Sequence, residues 1–97
     1  MNKKAVEQLT EAVIALRANG FESLSEAAIF CAAATATVND EPIGVSDIAR
    51  VTNIPMSSAS RYVWDLQERG LVEYVSHQKD RRMKLVRARL DTLKSDY

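Results

Sequence analysis

Cysteine and histidine are nearly missing from this sequence: Cys31 and His77 are the only representatives of their kinds. A single cysteine excludes an intramolecular disulfide, and one cysteine with one histidine leaves no metal-ligand spacing. Nucleophile–base pairs and a phosphate-cradling glycine loop are also lacking, so no catalytic residue, metal or cofactor is expected and the chain is not read as an enzyme. Long apolar runs are absent too. The longest, residues 27–36, is alanine-rich and too short to cross a bilayer, and no basic segment at the N-terminus precedes an apolar one. No membrane partner is expected, and the cytoplasm is the default address.

A surplus of either charge is missing as well, since 13 basic and 13 acidic residues cancel. Their placement is uneven. Residues 55–89 hold eight lysines and arginines against four acids, whereas residues 1–54 hold four against seven. Such a chain can turn one basic face to phosphates while the opposite face stays neutral or acidic. The length of 97 residues allows one domain with one modest core.

From Lys3 to Ala18, Val6, Leu9, Val13 and Leu16 recur at helical spacing, Ala5 and Ala12 widen the stripe, and Asn19-Gly20 supplies a left-handed stop. A stripe this long is either core or a dimer seam. Ser23-Leu24-Ser25-Glu26 reads as a capping box that opens a second helix, apolar nearly all round and therefore central and buried, ending at Asn39-Asp40-Glu41-Pro42. Ile43-Gly44-Val45 reads as extended, and Ser46 as the cap of a third helix. Asn53 takes the left-handed position of a turn, and Pro55 presets a fourth helix with Ala59, Tyr62, Val63 and Leu66 inward. After Gly70, residues 71–75 and 84–86 read as paired strands around a polar, basic tip. Residues 88–94 can then form a short final helix.

These elements predict a mainly α chain with a small β-wing: a winged helix-turn-helix over Val45 to Arg87. The expected organisation is a single domain, 1–97, comprising an N-terminal helix (1–20), a helical core with the helix-turn-helix (23–70), a β-wing (71–87) and a short C-terminal helix (88–97).

A recognition helix needs small polar or long basic residues at its N-terminal end, because that end must reach base edges in the major groove. Ser57, Ser58, Ser60 and Arg61 meet that need. Arginine can address guanine O6 and N7 with two hydrogen bonds, and serine hydroxyls serve bases or phosphates. Taken alone, the segment describes a serine-rich solvated helix start. The wing changes the weighting. Lys79, Asp80, Arg81, Arg82 and Lys84 lie on a hairpin directly after such a helix, and a guanidinium at a hairpin tip suits a narrow minor groove, where negative potential concentrates.

The run from Ser25 to Arg89 resembles the MarR family of transcriptional regulators. The resemblance rests on Ser57-Ser58-Ala59-Ser60-Arg61, on Leu66-Gln67-Glu68-Arg69-Gly70-Leu71-Val72, and on Asp80-Arg81-Arg82 followed by Leu85-Val86. It covers about two thirds of the chain and implies that Arg82 is the minor-groove arginine with Asp80 its orienting partner. Trp64 stands where the family often has a small acid, and Thr52 where it often has leucine. Family members also carry longer C-terminal helices that complete the dimer and an effector pocket. Only Arg87 to Tyr97 follow the wing here, so no small-molecule effector is expected.

The expected function is a sequence-specific, double-stranded-DNA-binding regulator: a homodimeric repressor with Val6, Leu9, Val13 and Leu16 in its seam. The alternative is a winged-helix protein–protein interaction module without sequence-specific DNA binding. Cys31, within an apolar helix, reads as an inert small hydrophobe. His77 reads as a solvated side chain or a phosphate contact. Trp64 either stacks on the nucleic acid or packs on a neighbouring element or subunit.

Overall fold

The computed structural model describes residues 2–77, 79–80 and 82–92. Four helices precede a two-stranded hairpin: α1 (Lys3–Ala18), α2 (Leu24–Val38), α3 (Val45–Thr52), α4 (Met56–Glu68), β1 (Val72–Ser76) and β2 (Lys84–Ala88). The starts of α1 and α2 have a local cause. The Asn2 side chain accepts from the Ala5 N–H at 2.8 Å, and Ser23 Oγ accepts from the Glu26 N–H at 3.2 Å. Both bonds satisfy donors that a first helical turn leaves open.

All four helices end in the same way. The residue at the turn takes positive φ: Gly20, Asp40, Asn53 and Gly70. At each, the next N–H reaches back five residues, with Phe21 donating to Leu16, Glu41 to Ala36, Ile54 to Ala49 and Leu71 to Leu66. The N–H of the positive-φ residue itself reaches back three residues, to Arg17, Thr37, Arg50 and Gln67 in turn, and this double closure satisfies the last carbonyls and reverses the chain sharply. Asp40 in a left-handed conformation extends the expectation for that segment, which foresaw a break without its geometry.

α2 is the hub. It packs against α3, α4 and β2, and Ile29, Ile48, Val63, Leu66 and Val86 are fully buried around it. Phe21 and Phe30 meet at 5.1 Å between ring centroids, closing the end of the core nearest α1. α1 itself contains no buried residue. Leu16 is half-buried and packs against the core, so it is drawn away from the outward stripe to which its spacing assigned it. α2 is less enclosed than its composition implies: Leu24, Val38 and Cys31 are exposed. The surface position of Cys31 corrects the expectation of an interior thiol. Its immediate surroundings still desolvate it and push its pKa up, which disfavours the reactive thiolate.

Several boundaries differ from the sequence reading, β1 among them, which runs over Val72–Ser76 rather than 71–75. α3 begins at Val45, with Gly44 as its cap and no side-chain cap bond, rather than after a capping Ser46. The cause is tertiary. Ile43 forms a bridge to Val86, whose N–H donates to the Ile43 carbonyl at 2.8 Å, so the extended segment ends there and Val45 turns inward. The hairpin pairs Val72 with Ala88 and Ser76 with Lys84, so β2 runs two residues beyond the expected strand end at Val86. Ala88, expected to open a helix, is buried, and its N–H donates to Thr37 Oγ1 at 2.9 Å. A single 3-10 turn at Leu90–Thr92 follows, and the rest of the expected helix lies outside the described residues.

Thr37 also donates to the Ala33 carbonyl at 2.8 Å, so one hydroxyl ties α2 to the base of the hairpin. Thr37→Val is expected to lower unfolding free energy by about 1–3 kcal/mol, the cost of leaving a buried N–H unpaired. Urea denaturation with an unchanged m-value would check it.

Candidate nucleic-acid interface

Asn53, at φ 57° and ψ 37°, reverses the chain between α3 and α4 and sets the two helices as a helix-turn-helix. Pro55 directly precedes α4, and its carbonyl accepts from Ala59 to start the helix. Ala59, Val63 and Leu66 are fully buried, which leaves the opposite face outward. Ser57, Ser60, Arg61 and Trp64 follow at helical spacing on that face and are all exposed. Ser58 is half-buried and lies off the centre of this face. The Arg61 guanidinium stands 5.4 Å from the Tyr62 ring centroid, a cation–π contact that steadies its stem without blocking the front of the helix.

The wing is built around Asp80 and His77. Asp80 Oδ1 accepts from the backbone N–H of Arg82 at 3.1 Å and from its Nε at 3.3 Å, while the Arg82 side chain is 93% exposed. The carboxylate therefore orients the guanidinium and leaves its outer edge for a ligand. His77 Nδ1 accepts from the N–H groups of Lys79 and Asp80 at 3.0 and 3.1 Å, so the imidazole acts as the turn's acceptor in the manner of an Asx turn. This structural role was missed by the sequence reading. A usable signal was its place at the hairpin's entry, two and three residues ahead of the N–H groups it binds. His77→Ala is expected to speed amide hydrogen exchange at Lys79 and Asp80 at least tenfold while leaving β1 protected; exchange measured by NMR would check it.

Lys79 and Lys84 are exposed on the same hairpin, and Arg81 lies outside the described residues. The Lys84 ammonium lies 5.8 Å from the Tyr74 ring centroid. Partial burial pushes the Tyr74 phenol above its ordinary pKa, so the ring is neutral under the cation. Between the hairpin and α4 runs an open cleft of about 470 Å³ lined by Ser46, Met56, Ser60, Tyr74 and Lys84 among others. Helix and wing thus share one side of the molecule, with a trough between them.

Of the residues read as a seam, Val6, Leu9 and Val13 are 49%, 53% and 51% exposed, and Ile14 is 49% exposed beside them. Among the described residues there is no group of three potential metal ligands, and no helix is long and apolar enough to cross a membrane.

Four helices, a left-handed turn between α3 and α4, and a hairpin beside the second helix define a winged helix-turn-helix protein. The sequence model of the MarR family matches residues 33–83, more than half of the chain, and the chain belongs to that family of transcriptional regulators. Solved structures agree on the fold. The MepR–DNA complex of S. aureus superposes with a TM-score of 0.69 at 14% identity, covering 91% of this chain and 68% of that one. FabT of Streptococcus pneumoniae in complex with DNA gives 0.65 at 13% identity, covering 92% and 62%. CouR of Rhodococcus jostii RHA1 bound to p-coumaroyl-CoA gives 0.62 at 25% identity, covering 92% and 60%. The chain therefore spans 60–68% of the length of these three relatives. Comparison with curated proteins found no significant match.

Proposed function

We propose that this chain is a sequence-specific, double-stranded-DNA-binding regulator of the cytoplasm that acts as a two-fold dimer and represses by steric occlusion. The observation that carries the reading is the cleft shared by Ser60 of α4 and Lys84 of the wing, with Arg61 and Arg82 exposed on the two elements that flank it. A duplex strand laid in that trough would bring α4 to the major groove and the hairpin tip to the adjoining minor groove. Arg61 would read guanine, with Ser57, Ser58 and Ser60 contacting bases or phosphates. Arg82, held by Asp80, would enter the minor groove, and Lys79, Arg81 and Lys84 would meet phosphates. MepR and FabT, both solved with DNA, support the analogy.

Dimerisation is proposed through α1, because a 16-residue helix with no buried side chain and a row of half-exposed aliphatics gains little from remaining alone. Two-fold symmetry would set the recognition helices about one helical turn, ~34 Å, apart. Selection of bound sequences from a random duplex pool tests the reading. An inverted repeat is the expected result, and a pool without any enriched consensus would overturn it.

The reading includes no aromatic effector. The apolar grooves beside Leu16 hold about 290 and 180 Å³ and open to solvent, at or under the lower end of the roughly 300–1,000 Å³ of drug-sized sites. In a panel of phenolic acids the selected duplex should stay bound; saturable micromolar release would show that an effector site forms.

A further inference from the structure

Arg69, at the C-terminal end of α4, reaches across the molecule to the elbow between α1 and α2. Its Nη1 donates to Glu26 Oε1 in the first turn of α2, and its Nη2 donates to the Gly20 carbonyl at 3.1 Å. The guanidinium also lies 5.5 Å from the Phe21 ring centroid. One planar group thus makes an ion pair, a hydrogen bond to the main chain of the elbow and a cation–π contact, which a flexible ammonium cannot reproduce together. The Glu26 side chain is sheltered at 14% exposed, while that of Arg69, 38% exposed, lies at the surface. Gly20 supplies the clearance: at φ +87° it has no Cβ, and one built there would stand 3.1 Å from Arg69 Nη2.

The position of these contacts gives them leverage. α1 has no buried residue, and among the described residues Leu16 is the α1 side chain that packs against the core. The direction in which α1 leaves the body is therefore set at its C-terminal end, where Arg69 holds Gly20 and Phe21. A helix of 16 residues is about 24 Å long at 1.5 Å per residue, so a swing of ~10° at the elbow moves its far end by ~4 Å. That displacement matches roughly one base-pair step of ~3.4 Å.

We infer that Arg69 is a positioning residue that sets the angle between the dimer arm α1 and the recognition helix α4, and through it the half-site spacing this protein selects. The inference rests on the DNA-reading dimer proposed above. Arg69 is engaged by Glu26, Gly20 and Phe21 and does not line the trough between α4 and the wing. Its loss should change which spacing is accepted, leaving the reading of each half-site intact.

The experiment measures affinity for the selected inverted repeat, for repeats with one or two base pairs inserted or removed between half-sites, and for a single half-site. It is done with the full chain as wild type, Arg69→Met, Arg69→Lys and Glu26→Gln, each checked for folding by thermal melting. The wild type should prefer one spacing at least tenfold. Arg69→Met should bind neighbouring spacings within threefold of one another while half-site affinity stays within twofold of wild type. Should Arg69→Met fail to fold, Glu26→Gln carries the comparison, because it retains a hydrogen-bonding side chain of the same shape; its preference should fall to fivefold or less. Retention of the tenfold preference by the folded variants would overturn the inference. So would a fall in half-site affinity as large as that for the repeat, which would make Arg69 a support of α4 alone. A wild type without sequence preference would instead overturn the DNA-reading function, and the wild-type arm separates that result from the others.

Discussion

Arg61→Glu combined with Arg82→Glu is expected to abolish recognition of the selected duplex, lowering affinity by at least about a hundredfold with the fold intact. Both side chains are exposed, and neither contributes to the buried core, so their loss should shift stability by no more than about 0.5 kcal/mol. On DNA each reversal replaces an attraction by a repulsion. A base-reading arginine discriminates by about 1–3 kcal/mol, and a wing arginine contributes through the potential of a narrow minor groove. The single alanine variants should fail differently. Arg61→Ala should narrow the gap between specific and random duplexes. Arg82→Ala should weaken the specific complex mainly through the minor groove, most where that groove is narrow. Fluorescence anisotropy at two salt concentrations, with specific and random duplexes, would check both. Equal loss on both duplexes for Arg61→Ala would reduce Arg61 to a phosphate contact. Duplex binding unchanged by the double reversal would put the DNA contacts on other residues and remove Arg61 and Arg82 from the interface.

Leu9→Asp with Val13→Asp is expected to convert the proposed dimer to a folded monomer, raising the dissociation constant by about a thousandfold. Each position occurs twice across a two-fold seam, and fully burying an aliphatic side chain is worth about 1.5–3 kcal/mol. These residues are already about half covered in the single chain, so about 1 kcal/mol per side chain is at stake, roughly 4 kcal/mol in all before any cost of burying a carboxylate. Sedimentation velocity at micromolar concentration would check it, with circular dichroism to show that the helices remain. A wild type that sediments as a monomer at every concentration would remove α1 as a seam. DNA binding should fall in parallel with dimer content, because a single half-site loses the second reading head.

The wing and the recognition helix were legible from residue chemistry that acts locally. An asparagine that tolerates positive φ, an Arg-Gly helix end and an aspartate two residues before an arginine each impose geometry within a few positions of themselves, as Ser23 does at the start of α2, where it accepts from Glu26 while the Glu26 side chain turns to Arg69 rather than completing a capping box. Helical spacing likewise separated Ala59, Val63 and Leu66 from Ser57, Ser60 and Arg61, because the period of 3.6 depends on the backbone alone.

Which of those faces would be covered, and by what, depended on residues distant in sequence. Leu16 turns to the core while Val6, Leu9 and Val13 stay outside, because the body of the protein reaches only the end of α1. α3 begins early because Val86, some forty residues onward, captures the Ile43 carbonyl, and Ala88 is held in a strand by Thr37, 51 residues before it. Cys31 is exposed although its helix is apolar, since composition states how much surface a helix can bury and neighbours decide how much it does. Arg69 shows the limit most plainly. Its motif announces a helix end, but its three partners lie at residues 20, 21 and 26, and only folding brings a guanidinium from one end of the chain's core to the elbow at the other.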